Sequence, residues 1–243
     1  MPSRRHGIAN DLRNQITTGR LKPGERLPSE TQLAGQYEVS TATLRGALAM
    51  LQGEGLVEKI HGKGNFVRRS LRRITYRGGW GTQTPQTASD TNLRITVRTT
   101  KIRARGHLTA LLQVSTGSHL TEFHCVSYEA KSPHSLARIH VPRDLAPAAV
   151  LNEPRPYEGA EARFAALRPT SADIRETVSA RLPTPDEAST LRISPALAVL
   201  AITRVTADIT GRVVEAALLA LPGDRADAVF TTNHATDEGW TER

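Results

Sequence analysis

Ser40, Thr41, Ala42, Thr43 and Arg45 stand close together at the start of an amphipathic run. Their chemistry suits a nucleic-acid duplex. An arginine there can donate two parallel hydrogen bonds to guanine O6 and N7, and the hydroxyls can reach phosphates or base edges. The Ala42 methyl matches the methyl of thymine. A second group is His61, Gly62, Lys63 and Gly64, which reads as a basic hairpin tip. Its glycines allow positive φ and close backbone approach, so the tip suits a minor groove and its phosphates. Ser29 begins another helical run, where a helix N-terminus can meet phosphate. Arg4 and Arg5 precede the first expected helix and add cations for phosphates. The sequence holds no nucleophile elbow, phosphate-binding loop or dinucleotide fingerprint, and no His at zinc-ligand spacing. No catalytic residue, metal ligand or cofactor is therefore assigned, and His124-Cys125 reads as packing.

These residues need elements that hold them. Ile8, Leu12 and Ile16 predict a helix over residues 7–19. Ser29 and Gln32 make a capping-box pattern, with Leu33 and Tyr37 on the buried side. Ser40 is the expected N-cap of a third helix, whose Leu44, Ala47, Leu48 and Leu51 follow at helical spacing. Two helices joined by a short turn make a helix-turn-helix. Leu56, Val57 and Ile60, then Phe66 and Val67, predict a hairpin with residues 61–64 at its tip, which is a wing.

Charge agrees with this placement. The formal net charge is +8, and residues 1–73 hold thirteen Lys and Arg against six Asp and Glu. A basic segment on an otherwise near-neutral chain points to a polyanion partner. No run is long and apolar enough for a membrane helix, and no apolar core follows the basic N-terminal residues, as a secretory leader would require. Cys125 is the sole cysteine, which suits a reducing cytoplasm.

The 243 residues favour two domains. Residues 1–69 form the expected winged helix-turn-helix. Residues 70–92, basic and then rich in Gly, Thr, Gln and Ser, read as a linker, and 233–243 as a polar tail. Between them, 93–102, 120–128, 136–141, 174–180, 196–207 and 212–221 look like strands, and 144–151, 157–167 and 184–193 like helices. Thr184, Pro185 and Glu187 supply the start signals of the last helix, and residues 209–212 read as a hairpin turn. The mixed order predicts an α+β fold with an antiparallel sheet.

The first domain resembles the DNA-binding domain of the GntR family of bacterial regulators. The marks are Gly19 to Leu27 (GRLKPGERL), Leu27 to Glu30 (LPSE), Val39-Ser40, Thr43 with Arg45, Glu54 to Leu56, and the Gly-x-Gly-x-Phe-Val of Gly62 to Val67. Residues 93–232 resemble the UTRA sensor domain of its HutC branch, through SLARIHVPRDL and the run from Ile202 to Phe230 with its Pro222-Gly223-Asp224-Arg225 turn. The resemblance implies a chorismate-lyase-like antiparallel sheet with flanking helices. It implies that the third helix enters the major groove, and that Glu30 orients a neighbouring arginine. It also implies an effector pocket that includes Arg138, His140, Arg204 and Glu215. One departure is Thr41, where many members of the family carry arginine after the Val-Ser pair.

The expectation is a regulator, of repressor type, that binds a palindromic operator as a homodimer and is released by a small molecule, with no membrane partner. Three other readings stay open. A lyase-like enzyme would turn over chorismate. A repressor of the same fold without an effector would gain no thermal stability from any metabolite. A general DNA-compacting protein would bind with a steep salt slope and no sequence preference.

Overall fold

The computed structural model describes residues 3–69, 73–78, 93–130, 132–146 and 171–230. The expected helix at 157–167, the tail at 233–243 and most of the expected linker lie outside them.

The N-terminal part is α1 (Arg4–Thr17), α2 (Glu30–Gln36), α3 (Thr41–Gly53), β1 (Val57–Ile60) and β2 (Gly64–Val67). Ile8 and Leu12 of α1, Leu33 of α2 and Leu44, Leu48 and Leu51 of α3 share one buried cluster with Leu27, Val57 and Val67. Each fully buried leucine contributes about 1.5–3 kcal/mol through apolar area removed from water. The expected caps are present. Ser29 and Gln32 form a complete capping box, and Ser40 Oγ accepts from the Thr43 amide. β1 and β2 pair antiparallel. The segment before α2 adds a third edge: Leu27 N donates to Asn65 O at 2.9 Å and Val67 N to Glu25 O at 2.8 Å.

The helix α1 begins at Arg4, three residues earlier than its apolar stripe indicated. Arg4 and Arg5 are thus its first turn rather than an arm ahead of it. Ser3 stands at the N-cap but makes no side-chain cap, its Oγ lying 2.6 Å from His6 Nδ1 instead.

The second part contains β3 (Ile74–Gly78), β4 (Leu93–Arg103), α4 (His107–Leu112), β5 (His119–Glu129), β6 (Ser132–Pro142) and β7 (Ser171–Arg181), then α5 (Pro185–Leu191), β8 (Val199–Asp208), β9 (Val213–Pro222) and β10 (Ala226–Phe230). Six strands form one antiparallel sheet in the order β4-β5-β6-β9-β8-β7. β9 is central and buried on both faces, as its near-continuous apolar run requires.

Several elements differ from expectation. β3 forms inside the segment read as linker and pairs parallel with β10, a strand the sequence did not signal. α4 is a further helix. Residues 144–146 are turn and bend rather than the start of a helix, and β8 begins at Val199 rather than residue 196.

The two faces of the sheet are covered differently. Leu108 and Leu112 of α4 pack with Ala216 and Leu120, and Ala188 and Leu191 of α5 pack with Leu136 and Ala220. Strand alternation puts Leu136, Arg138 and His140 on one face, so both helices lie on that face. The opposite face carries Ile139, Ala217 and Ile202, and the β3–β10 ribbon covers it with Ile74 and Tyr76.

Candidate nucleic-acid interface and sensor site

The N-terminal end of α3 is open. Ser40, Thr41, Ala42 and Arg45 are exposed and Thr43 is half-buried. Thr43 is partly spent within the protein, because its hydroxyl lies 3.0 Å from Ser40 Oγ. Arg45 is held at its base: its Nε donates to Glu30 Oε2 at 2.6 Å. The other oxygen of Glu30 stands 3.5 Å from Lys59 Nζ on β1. The hydrogen bond from Arg45 lowers the Glu30 carboxyl below the usual carboxylate range, with the charges of Lys59 and Arg45 adding to it. Glu30 therefore stays ionised and fixes the stem of an arginine whose side chain is 67% exposed.

The wing completes this surface. Gly62 and Gly64 have φ of +71° and +105°, which side chains rarely adopt. His61, Gly62 and Lys63 are exposed, and Lys63 N donates back to Ile60 O at 3.0 Å to close the turn. Asn65 fastens the wing to α3: it is buried, and its Oδ1 accepts from Gln52 Nε2 at 3.0 Å. Arg26, which sequence reading passed over, has its guanidinium beside Gly64, with Nε 3.6 Å from where a Cβ would stand. Only pairing of the Gly24–Leu27 segment with β2 brings it there.

Arg4 Nη1 donates to Glu38 O at 3.1 Å, tying α1 to the turn before α3. The Arg5 stem passes over Gly46 of α3. Tyr37 donates its hydroxyl to Asp11 Oδ2 at 2.6 Å, which fixes the end of α2 against α1. Ser29 is committed to its cap.

The four residues expected in the sensor pocket divide between the two faces of the sheet. Arg138 pairs in register with His124 and with Leu218, and Leu218 pairs with Thr203. Arg204 is one residue out of that row and so lies on the opposite face, as does Glu215. Arg138 and His140 sit between α4 and α5. Arg138 Nη2 donates to Asp186 Oδ2 on α5, and its Nε is buried without a protein partner. His140 Nε2 is 2.9 Å from Glu122 Oε2. Burial lowers the His140 imidazole pKa against the opposing pull of Glu122, and burial together with Arg138 and Arg98 lowers that of His124.

On the other face, Arg204 is 2% exposed and its Nε lies 3.8 Å from Glu176 Oε1. The same oxygen accepts from the Tyr76 hydroxyl at 2.5 Å. This buried group holds β3 on the sheet, which gives Arg204 a structural partner. Burial pushes the Cys125 thiol up to about 12, far from a reactive thiolate.

The comparisons with known proteins match this two-part layout. The model for bacterial regulatory proteins of the gntR family matches residues 4–67, and the UTRA domain model matches 94–227. An uncharacterised HTH-type transcriptional regulator of Rhizobium meliloti (strain 1021) is 28% identical over 227 residues, which is 90% of each chain. The mannosyl-D-glycerate transport/metabolism system repressor MngR of Escherichia coli (strain K12) is 41% identical over 69 residues, 28% of each chain, so its likeness covers little more than the winged helix. A crystal structure of a GntR-family transcriptional regulator superposes with a TM-score of 0.57 at 25% identity, over 96% of this chain and 98% of the other. With a helix-turn-helix and wing followed by that sensor sheet, the chain belongs to the gntR family of bacterial regulatory proteins, in the branch that carries a UTRA domain.

Proposed function

We propose that this protein is a cytoplasmic transcriptional repressor that binds a two-fold symmetric operator as a homodimer and is released by a small-molecule effector. The observation that carries the DNA-binding reading is the Glu30–Arg45 pair at 2.6 Å. It presents a braced guanidinium on the open end of a recognition helix beside a basic wing. Ser40, Thr41, Ala42 and Thr43 surround Arg45, and His61, Gly62, Lys63 and Gly64 form the second contact. Arg4 and Arg5 fall outside this core and serve phosphate contacts, whereas Ser29 caps α2. A dimer follows from the operator symmetry that two such helices would read.

The effector reading rests on the Arg138–His140 face. A guanidinium and a buried imidazole lie between two helices there, with a guanidinium nitrogen left without a protein partner. A buried polar group without a partner is costly, and a ligand would remove that cost. Arg204 and Glu215, on the other face, are proposed as support for β3 and the sheet rather than as direct ligands. We read this domain as a binder and not as an enzyme, because Asp186 and Glu122 occupy its most basic groups and Cys125 is unreactive. Among the described residues no helix is long and apolar enough to cross a membrane.

Selection of duplexes from a random pool tests the proposal, with light scattering of the complex alongside. Enrichment of an inverted repeat bound by two chains supports it. Enrichment of no sequence, or of a single half-site bound by one chain, contradicts it.

A further inference from the structure

The C-terminal end of α3 rests on the sensor domain. A Cβ on Gly53, the last residue of α3, would meet Ala196 Cβ at 3.6 Å. Gly55, at φ +73°, leaves room where a Cβ would come within 2.8 Å of Asp224 Oδ2 and 3.0 Å of Arg68 Nη1. Arg68, where the wing ends, donates from that nitrogen to Asp224 Oδ2 at 2.5 Å, with the two side chains 9% and 21% exposed. The turn that bears Asp224 is itself pinned. Gly223 N donates to Ala198 O at 2.9 Å, and a Cβ on Gly223 would fall 2.7 Å from that oxygen. One short loop, residues 192–198, therefore supplies the surface under Gly53 and the anchor behind Asp224.

The same loop leaves α5. Leu191 at the end of α5 and Leu197 in the loop share a buried cluster with Val126 and Leu136 of the sheet. Ile193 N donates back to Ala188 O at 3.0 Å, so helix and loop are joined by hydrogen bonding as well as by chain. At its other end α5 carries Asp186, which pairs with Arg138. Helix, loop and turn thus run without a break from the candidate effector site to the base of the recognition helix.

We propose that α5 and the 192–198 loop transmit the state of Arg138 to α3. Asp186 is an internal carboxylate in the place of an acidic effector group. An effector that takes Arg138 releases Asp186, α5 resettles on the sheet, and the seat beneath Gly53 and Gly55 moves with it. A ligand shifts a conformational equilibrium only through contacts that differ between the two states, and exchange at Arg138 supplies such a difference. The proposal rests on reading Arg138 as an effector ligand.

The test uses the full chain, a duplex the wild type selects from a random pool, and no effector. Asp186→Asn cannot hold Arg138 as an ion pair and is expected to change duplex affinity about 5-fold or more. Asp224→Asn weakens the seat, and with it present Asp186→Asn is expected to change nothing further. Arg68→Gln serves as a second way to weaken the seat. An unchanged affinity in Asp186→Asn overturns the relay. So does the same change with and without the seat substitutions, since uncoupled sites add.

Titration with inorganic phosphate by calorimetry tests the underlying reading separately. Tighter binding to Asp186→Asn than to wild type, lost in Arg138→Gln, supports Arg138 as an acid-binding residue. Equal weak heats in all three contradict that reading and the exchange step with it. If phosphate binding behaves as expected while duplex affinity stays fixed, the relay alone is wrong.

Discussion

Glu30 and Arg45 lie fifteen residues apart in sequence, yet the Arg45 Nε donates to Glu30 Oε2 at 2.6 Å across the helix-turn-helix. The bond is made by Nε, and the Arg45 side chain is 67% exposed. A carboxylate beside a DNA surface repels phosphate, so its value must lie in orientation. Glu30→Gln is therefore expected to have opposite effects on two quantities. Affinity for unrelated duplex rises slightly as a negative charge is removed, and preference for the selected duplex falls, by up to the about 1–3 kcal/mol that a bidentate guanine contact is worth. Anisotropy titrations on both duplexes measure this. A fall or rise of both affinities together contradicts it.

The caps give a stability prediction. Ser40 Oγ accepts from the Thr43 amide, and Thr184 and Glu187 form a complete capping box around Pro185. Ser40→Ala and Thr184→Ala should each cost about 1 kcal/mol, within the usual range for lost N-caps. Denaturant unfolding measures both. Ser40→Ala should lower duplex affinity as well, since Ser40 stands at the exposed start of α3.

Two glycines with similar backbone angles should respond differently to alanine. Gly62, at φ +71°, has nothing within 4 Å of its open side, so Gly62→Ala costs only the backbone term of about 1–2 kcal/mol. Gly55, at φ +73°, carries the same strain and a clash with Asp224 and Arg68 besides. Gly55→Ala should therefore be the more destabilising of the two in thermal unfolding. Equal losses would contradict the seat described for Asp224.

The sensor domain should also respond to pH. Burial depresses the His140 and His124 pKa values below the ordinary value of 6.5. The unfolded chain then binds more protons than the folded chain just below pH 6.5, so stability falls as pH drops through that window and is fully present above it. Unfolding midpoints between pH 5 and 8 check this, and His140→Gln should flatten the slope. A midpoint that rises on acidification contradicts it.

Much of the DNA-facing part was legible because its signals are local. Ser29, Gln32 and Ser40 are capping residues, and Leu44, Ala47, Leu48 and Leu51 repeat at helical spacing. The start of α1 was not legible, since Ser3 makes no cap and the first turn holds Arg4, Arg5 and His6 rather than apolar residues. β3 was missed because a five-residue strand in a polar stretch is fixed by what it packs on. Ile74 and Tyr76 are buried only because the sheet lies beneath them. The sensor site was half legible. Alternation along one strand puts Arg138 with His140. Whether Arg204 joins them depends on register through β6, β9 and β8, and an offset of one residue sends it to the other face. Arg26 joins the wing only through a long-range strand pairing.

The central claim is that Arg45 reads sequence in a duplex. The most direct test is fluorescence anisotropy of wild type and Arg45→Ala on the selected duplex and on a scrambled one, across several salt concentrations. The account predicts a wild-type preference of about 10³-fold or more, typical of specific regulators, that Arg45→Ala largely removes while the salt dependence on scrambled DNA persists. Equal wild-type binding to both duplexes, with Arg45→Ala without effect, would contradict it.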